Sequence, residues 1–240
     1  MSMRVMLVTM SKTSFNAAMK NAARRMPPFP YPVAILFALV AVVMAYVGGP
    51  DNRADFRLLA DLSHLRLFRP WLESSELALT RLGTGVVLIP VGVAVIIAGL
   101  RRRGPRAAGA AAAALVAVRL IIEITKTMMS RPRPMPDVHP ITTFGFSFPS
   151  AHSGNSLATA LVAVVLLVPA ARRRPWLAAA IGFGVIIGLT RPLLGVHWPS
   201  DVIAGWSIAV AVVMVAWRWI DPPAPVDADT TDDRSDAVEA

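Results

Sequence analysis

The sequence contains no cysteine. Disulfides, thiolate nucleophiles and cysteine-ligated metals are therefore excluded, while the redox compartment stays open. Charge is also scarce: 16% of residues are Asp, Glu, Lys or Arg, against 55% hydrophobic, which is outside the range of soluble domains. Acids are the scarcer sign, and seven of the fifteen fall after residue 220 beside a single arginine. Residues 1–220 consequently hold 23 bases and 8 acids, a net +15. With only His64, His139, His152 and His197 present and few acids near them, a dedicated metal cage is not expected.

What is present in quantity is apolar sequence in long runs. Six spans are expected near 31–49, 83–100, 107–125, 154–171, 176–190 and 202–220. Most hold 18–19 residues, about 27–29 Å as helix, which matches a bilayer's hydrocarbon core. The fifth reads as the shortest and is Gly-rich (Gly182, Gly184, Gly188), suited to close packing. The expected fold is all-α: an integral membrane bundle of six transmembrane helices over 31–220. A basic cytoplasmic segment (1–30) precedes it and an acidic, disordered tail (221–240) follows.

Charge sets the expected orientation. Arg4, Lys12, Lys20, Arg24 and Arg25 precede the first span, Arg101, Arg102, Arg103 and Arg106 follow the second, and Arg172, Arg173 and Arg174 follow the fourth, all without acids. Residues 50–82 instead balance five arginines against five acids. The positive-inside bias places both termini and the arginine turns in the cytoplasm, so the basic excess is a topology signal rather than a nucleic-acid surface. The N-terminus lacks the h-region and cleavage site of a signal peptide; it reads either as a basic amphipathic helix on the inner leaflet or as a frayed tail. Residues 55–80 read as helical and amphipathic, lying along the outer interface.

Three polar stretches interrupt the apolar pattern, and alternation places all of them on the extracytoplasmic face: Lys126 to Pro134, Phe148 to Ser153, and Thr190 to Asp201. Ionisable groups at membrane depth are costly, so a functional site is the default explanation. In the third stretch His197 precedes a helix start marked by Pro199, with Asp201 one turn on. The carboxylate can hold one imidazole nitrogen and leave the other free to attack, unless Asp201 is only a helix cap. Arg191 is placed to fork onto phosphoryl oxygens. In the second, Ser150 opens a helix whose free N–H groups suit an anion, and His152 is placed to protonate a leaving oxygen; the plain alternative is a Ser cap with a neighbouring His. In the first, Pro132, Pro134 and Pro136 hold the chain extended beside Lys126, Arg131 and Arg133.

The order and spacing of these motifs resemble the type 2 phosphatidic acid phosphatase superfamily, the lipid-phosphate phosphatases related to vanadium haloperoxidases. Lys126, Arg133 and Pro134 match its first signature; Pro149, Ser150, Ala151 and His152 its second; Thr190, Arg191, His197 and Asp201 its third. Ala151 stands where the family has glycine and Thr190 where it has serine. The resemblance implies that His197 attacks phosphorus to form a phosphohistidine, that Asp201 orients it, and that His152 protonates the leaving group. Lys126, Arg133, Ser150 and Arg191 would bind the phosphoryl oxygens, with no metal and no cofactor. Arg131 is left as an extra cation without a role.

The implied substrates are a polyprenyl (undecaprenyl-type) diphosphate first, and phosphatidate or phosphatidylglycerophosphate second. A lipid phosphotransferase would share the same residues, and a lipid or phosphate transporter would need inverted repeats that are not visible. Partners are membrane lipids rather than nucleic acid. Arg119 and Glu123 read as a buried i, i+4 ion pair, or as a means of positioning Lys126. His139 reads as a solvated loop residue, and Trp198, Trp206, Trp217 and Trp219 as interfacial anchors.

Overall fold

A computed structural model describes residues 30–134 and 143–222. The N-terminal segment, the loop carrying His139 and Pro136, and the acidic tail beyond 222 lie outside the described residues, as do the expectations placed on them. The described residues form helices and one short 3-10 turn, with no strand among them. In chain order they are α1 (Pro30–Val47), α2 (Arg53–Leu67), α3 (Pro70–Arg81), α4 (Gly85–Arg103), α5 (Pro105–Met129), α6 (Ala151–Leu167), α7 (Arg173–Leu193) and α8 (Pro199–Ile220).

Four segments are long and apolar enough to cross a membrane: Gly85–Arg103, Pro105–Met129, Ala170–Leu193 and Pro199–Ile220. Tyr31–Val47 and Ala151–Leu167 are apolar but shorter. The expectation of a short fifth span was wrong. Pro192 does not stop α7, which runs 21 residues through Arg191 and ends at Leu193. A proline in a last turn loses one hydrogen bond without breaking the turns before it. The 55–80 region is likewise two helices, parted at Phe68 and Arg69 where Pro70 starts a new first turn.

The core sits on α6, which packs against α4, α5, α7 and α8, while α1 lies along α8 and the α2–α3 pair rests on α7. Val118, Ile122, Val162, Val165 and Leu166 are fully or almost fully buried there. Leu36, Leu39, Val86, Ile89, Leu120, Ile124 and Ile186 face outward instead. Such a belt of exposed large apolar side chains suits lipid rather than water. Away from the polar stretches, Asp221 accepts hydrogen bonds from Arg103 and Arg173, tying the end of α4 and the start of α7 to the end of α8. The first residue of the expected acidic tail is thus part of the folded body.

Candidate active site

Helix polarity brings the three polar stretches to one end of the bundle. Lys126 lies in the last turn of α5, Ser150 is the N-cap of α6 with His152 in its first turn, Arg191 lies in the last turn of α7, and Asp201 is in the first turn of α8. His197 sits in the short link before α8, and Arg133 in the segment after α5. The helices carrying His152 and Asp201 approach backbone to backbone. A Cβ on Gly205 would stand 2.5 Å from the carbonyl oxygen of Ser150. Glycine is required there because any side chain would wedge the two helices apart.

His197 is buried, with its two ring nitrogens facing different partners. Nδ1 lies 3.3 Å from Asp201 Oδ2, and Nε2 lies 3.2 Å from Arg133 Nη1. A guanidinium only donates, so Nε2 must be the unprotonated, accepting nitrogen and Nδ1 carries the proton toward the carboxylate. Burial first, then the positive charges of Arg191, Arg133 and Lys126, hold the imidazole well below its ordinary value of 6.5. It is therefore neutral at physiological pH, with a lone pair aimed into a cluster of cations. Asp201 Oδ2 also accepts from the Trp198 backbone N–H at 2.9 Å, so the cap function and the histidine contact coexist.

The cations are held largely by backbone carbonyls, which fix their positions without neutralising them. Arg133 donates to the carbonyls of Gly145, Val196, Phe144 and Phe146, and Lys126 Nζ to Phe146 O at 2.9 Å. Arg191 is buried, giving Nη1 to Thr80 Oγ1 at 2.7 Å, while its Nε has no partner among the described residues. Ser150 Oγ accepts from Ser153 Oγ at 2.8 Å. Ala151 begins α6 in ordinary helical geometry, so the glycine it replaces is not needed here for a positive φ. Thr190 turns its hydroxyl back to Ile187 O at 2.6 Å, away from any site role.

The residue with no expected role is central. Arg131 is buried; its Nη1 donates to Asp201 Oδ1 at 2.8 Å and to Ser200 Oγ at 3.0 Å, and its Nη2 to the carbonyls of Met44 and Ala45. Its guanidinium lies 4.3 Å over the Phe148 ring. Behind it, buried Asp55 of α2 accepts from Ser200 N at 2.9 Å and from Ser200 Oγ. Arg131 therefore holds the carboxylate that holds the histidine. Its position two residues before Arg133 in an Arg-Pro-Arg-Pro run was a signal, whereas nothing local marked Asp55 or Thr80.

Three smaller readings change. Arg119 and Glu123 do pair, at 3.1 Å, but their side chains are 57% and 45% exposed rather than buried. Lys126 turns to the 146–147 carbonyls, not to Glu123. Trp198 and Trp217 are buried, Trp198 donating to Pro132 O and Trp217 lying beneath Arg173, while Trp206 donates to Gly184 O. Trp219 alone of the four stays largely exposed. Among the described residues, no group of three His, Asp or Glu is placed to hold a metal ion.

Residues 107–223 match the model of the PAP2 superfamily. The chain is 26% identical over 189 residues to an undecaprenyl-diphosphatase of Sulfolobus acidocaldarius, covering 72% of this chain and 82% of that one. It is 29% identical over 151 residues to phosphatidylglycerophosphatase B of Bacillus subtilis, covering 59% and 72%. The fold superposes on the crystal structure of the transmembrane PAP2 type phosphatidylglycerolphosphate phosphatase from Bacillus subtilis with a TM-score of 0.65. That match is at 23% identity and spans 78% of this chain and 93% of that one. All three polar stretches fall within the residues that match the PAP2 superfamily model.

Proposed function

We propose that the chain is an integral membrane lipid-phosphate phosphatase working through a phosphohistidine on His197. The observation that carries the reading is the split of that ring: Nδ1 engaged by Asp201, and Nε2 turned toward Arg133 in the field of Lys126 and Arg191. An anionic phosphoryl group entering between the cations draws Arg133 off the ring and onto its own oxygens. Nε2 then attacks phosphorus, the bond from phosphorus to the lipid oxygen breaks, and His152 gives that oxygen a proton. In the second half His152 takes a proton from water, the water oxygen attacks phosphorus, and the phosphorus–nitrogen bond returns its electrons to Nε2. Lys126, Arg133, Ser150 and Arg191 stabilise the spread of charge in both steps, so neither step requires a metal or cofactor.

A polyprenyl diphosphate is the first substrate, supported by the relative named undecaprenyl-diphosphatase, which the alignment covers over most of its length. Phosphatidylglycerophosphate is the second, supported by the phosphatidylglycerophosphatase B relatives. We place six spans across the membrane, counting α1 and α6 with the four longer segments, with the site on the extracytoplasmic face and both termini inside. The arginine-rich turns after α4 and before α7, at the end opposite the site, support that orientation.

The test uses purified protein with long-chain polyprenyl diphosphate and phosphatidate, following phosphate release with EDTA present. His197→Ala is expected to abolish release and to abolish labelling of the protein by phosphate from terminally radiolabelled substrate. Wild-type-like release by that variant would remove His197 as nucleophile. Activity lost with EDTA and restored by a divalent ion would overturn the metal-free mechanism.

A further inference from the structure

Of the two histidines in the proposed mechanism, His197 alone has its ring held by hydrogen bonds. None among the described residues holds the ring of His152, which is half-buried in the first turn of α6. Its orientation therefore depends on packing, and Gly83, in the turn from α3 to α4, supplies part of it. A Cβ on Gly83 would stand 3.0 Å from His152 Cδ2, the ring carbon bonded to Nε2, 3.1 Å from Ser156 Oγ and 2.5 Å from Ile187 Cγ2. Ile187 is fully buried and its Cγ2 sits on a stiff, branched Cβ, so it has no free end to swing aside. The bare backbone of Gly83 thus lies against the edge of the His152 ring, in a space with no room for a side chain.

Three residues earlier the same turn meets Arg191. Thr80 Oγ1 accepts from Arg191 Nη1 at 2.7 Å with both side chains buried, and Gly83 N donates to Thr80 O at 3.0 Å. One tight turn of backbone therefore joins the hydroxyl that fixes a phosphate-binding guanidinium to the surface that limits the swing of the acid. Thr80 occupies one guanidinium nitrogen and leaves Nε without a partner among the described residues, so Arg191 keeps donors for a phosphoryl group. Residues 80–83 precede the stretch that matches the family model, 107–223, and none of the three motifs includes them.

We propose that Thr80 and Gly83 are positioning residues of the site: Thr80 orients Arg191 toward the phosphoryl oxygens, and Gly83 holds the His152 ring for proton delivery to the leaving oxygen. The assignment rests on the phosphatase reading and extends it to the end of α3. The two roles differ in what they serve. Arg191 stabilises charge on the phosphoryl group whatever departs from it. His152 matters in proportion to the basicity of the departing oxygen. The lipid alkoxide of phosphatidate must take a proton as it leaves, whereas a nitrophenolate leaves without one.

The experiment measures kcat/KM of the purified protein on phosphatidate and on a nitrophenyl phosphate carrying an alkyl tail of similar length. This quantity covers the steps up to departure of the leaving group, so hydrolysis of the phosphohistidine does not enter. Thr80→Val is expected to lower it about tenfold on both substrates alike, and Thr80→Ser, which keeps the hydroxyl, to recover most of the loss. Gly83→Ala is expected to lower the ratio of phosphatidate to nitrophenyl phosphate about tenfold, and His152→Ala to lower it further. Unchanged kinetics in Thr80→Val, or an equal loss in Thr80→Ser, overturns the role of Thr80. An unchanged ratio in Gly83→Ala overturns that of Gly83, even with both rates down, because a general loosening of the fold does not sort substrates by leaving group. If Gly83→Ala does not fold, Gly83→Ala combined with Ile187→Ala carries the same test, since it removes the methyl that the new Cβ meets first. Failure of the phosphatase reading shows separately, as a wild type that releases phosphate from neither substrate or a His152→Ala variant with an unchanged ratio.

Discussion

Arg131 and Asp201, seventy residues apart, form a buried 2.8 Å ion pair, and the carboxylate's other oxygen faces the His197 ring. Arg131 donates its hydrogen bonds to Asp201, Ser200 and the α1 carbonyls of the protein itself, so it acts on the reaction through Asp201. Arg131→Met is expected to lower kcat by roughly 10²-fold with little change in KM, because the nucleophile loses its orientation while the phosphate-binding cations remain. Steady-state kinetics separate the two. Stability falls as well, by about 3–5 kcal/mol, because a buried carboxylate is left without its partner. Arg131→Lys restores part of the kcat.

Asp55 stands one step further out and predicts a smaller effect of the same kind. Asp55→Asn keeps the shape but weakens its hold on Ser200 and on the Gly49 backbone N–H. A fall in kcat smaller than that of Arg131→Met is expected. Equal kcat in Asp55→Asn and wild type would show that the α2 contact does not support the site.

The acid side of the pH profile follows from His197. Because the imidazole is held well below 6.5, acidifying from pH 8 to pH 6 does not protonate the nucleophile. The acid limb of kcat/KM is therefore expected below the ordinary histidine range. An acid limb centred at 6.5 that disappears in no other histidine variant would contradict the neutral, buried ring.

Glu76 supplies a stability prediction with a definite sign. It is 2% exposed and neither carboxylate oxygen has a partner among the described residues. Burial pushes it up to about 7, with Arg66 pulling it down and Glu73 adding to the rise. Between about pH 4.5 and 7 the unfolded chain loses this proton while the folded protein keeps it, so stability falls as pH rises and levels off above 7. Glu76→Gln removes that loss. Its melting temperature in detergent is expected to exceed the wild type's at pH 8 and to converge with it at pH 4.5, the gain being at most about 3 kcal/mol.

Absence of cysteine makes the proposed orientation directly measurable. Asp51→Cys, in the turn after α1, is expected to react with a membrane-impermeant maleimide in intact cells. Arg102→Cys, at the end of α4, is expected to react only after the membrane is opened. The reverse pattern would invert the topology.

The helical runs and the catalytic spacings were legible because both are local. A run of apolar residues makes a helix wherever its neighbours lie, and His197 and Asp201 are one turn apart in the chain itself. The length of α7 was misjudged because the apolar run alone defined the span, whereas the helix continues through polar residues at both ends, from Arg173 to Leu193. The exposure of Arg119 and Glu123 was misjudged because helical spacing pairs them without saying which way the pair faces.

By itself the sequence determined an all-helical, membrane-compatible chain, the set of groups available for phosphoryl chemistry and their order along it. Tertiary structure alone decided which arginine meets which oxygen. Arg131 and Arg133 are chemically identical neighbours in one extended segment, and packing sends one to Asp201 and the other to His197. That division and the support from Asp55 and Thr80 depend on contacts between helices far apart in sequence. No local propensity encodes them, because their energy comes from desolvating groups together only once the helices have packed.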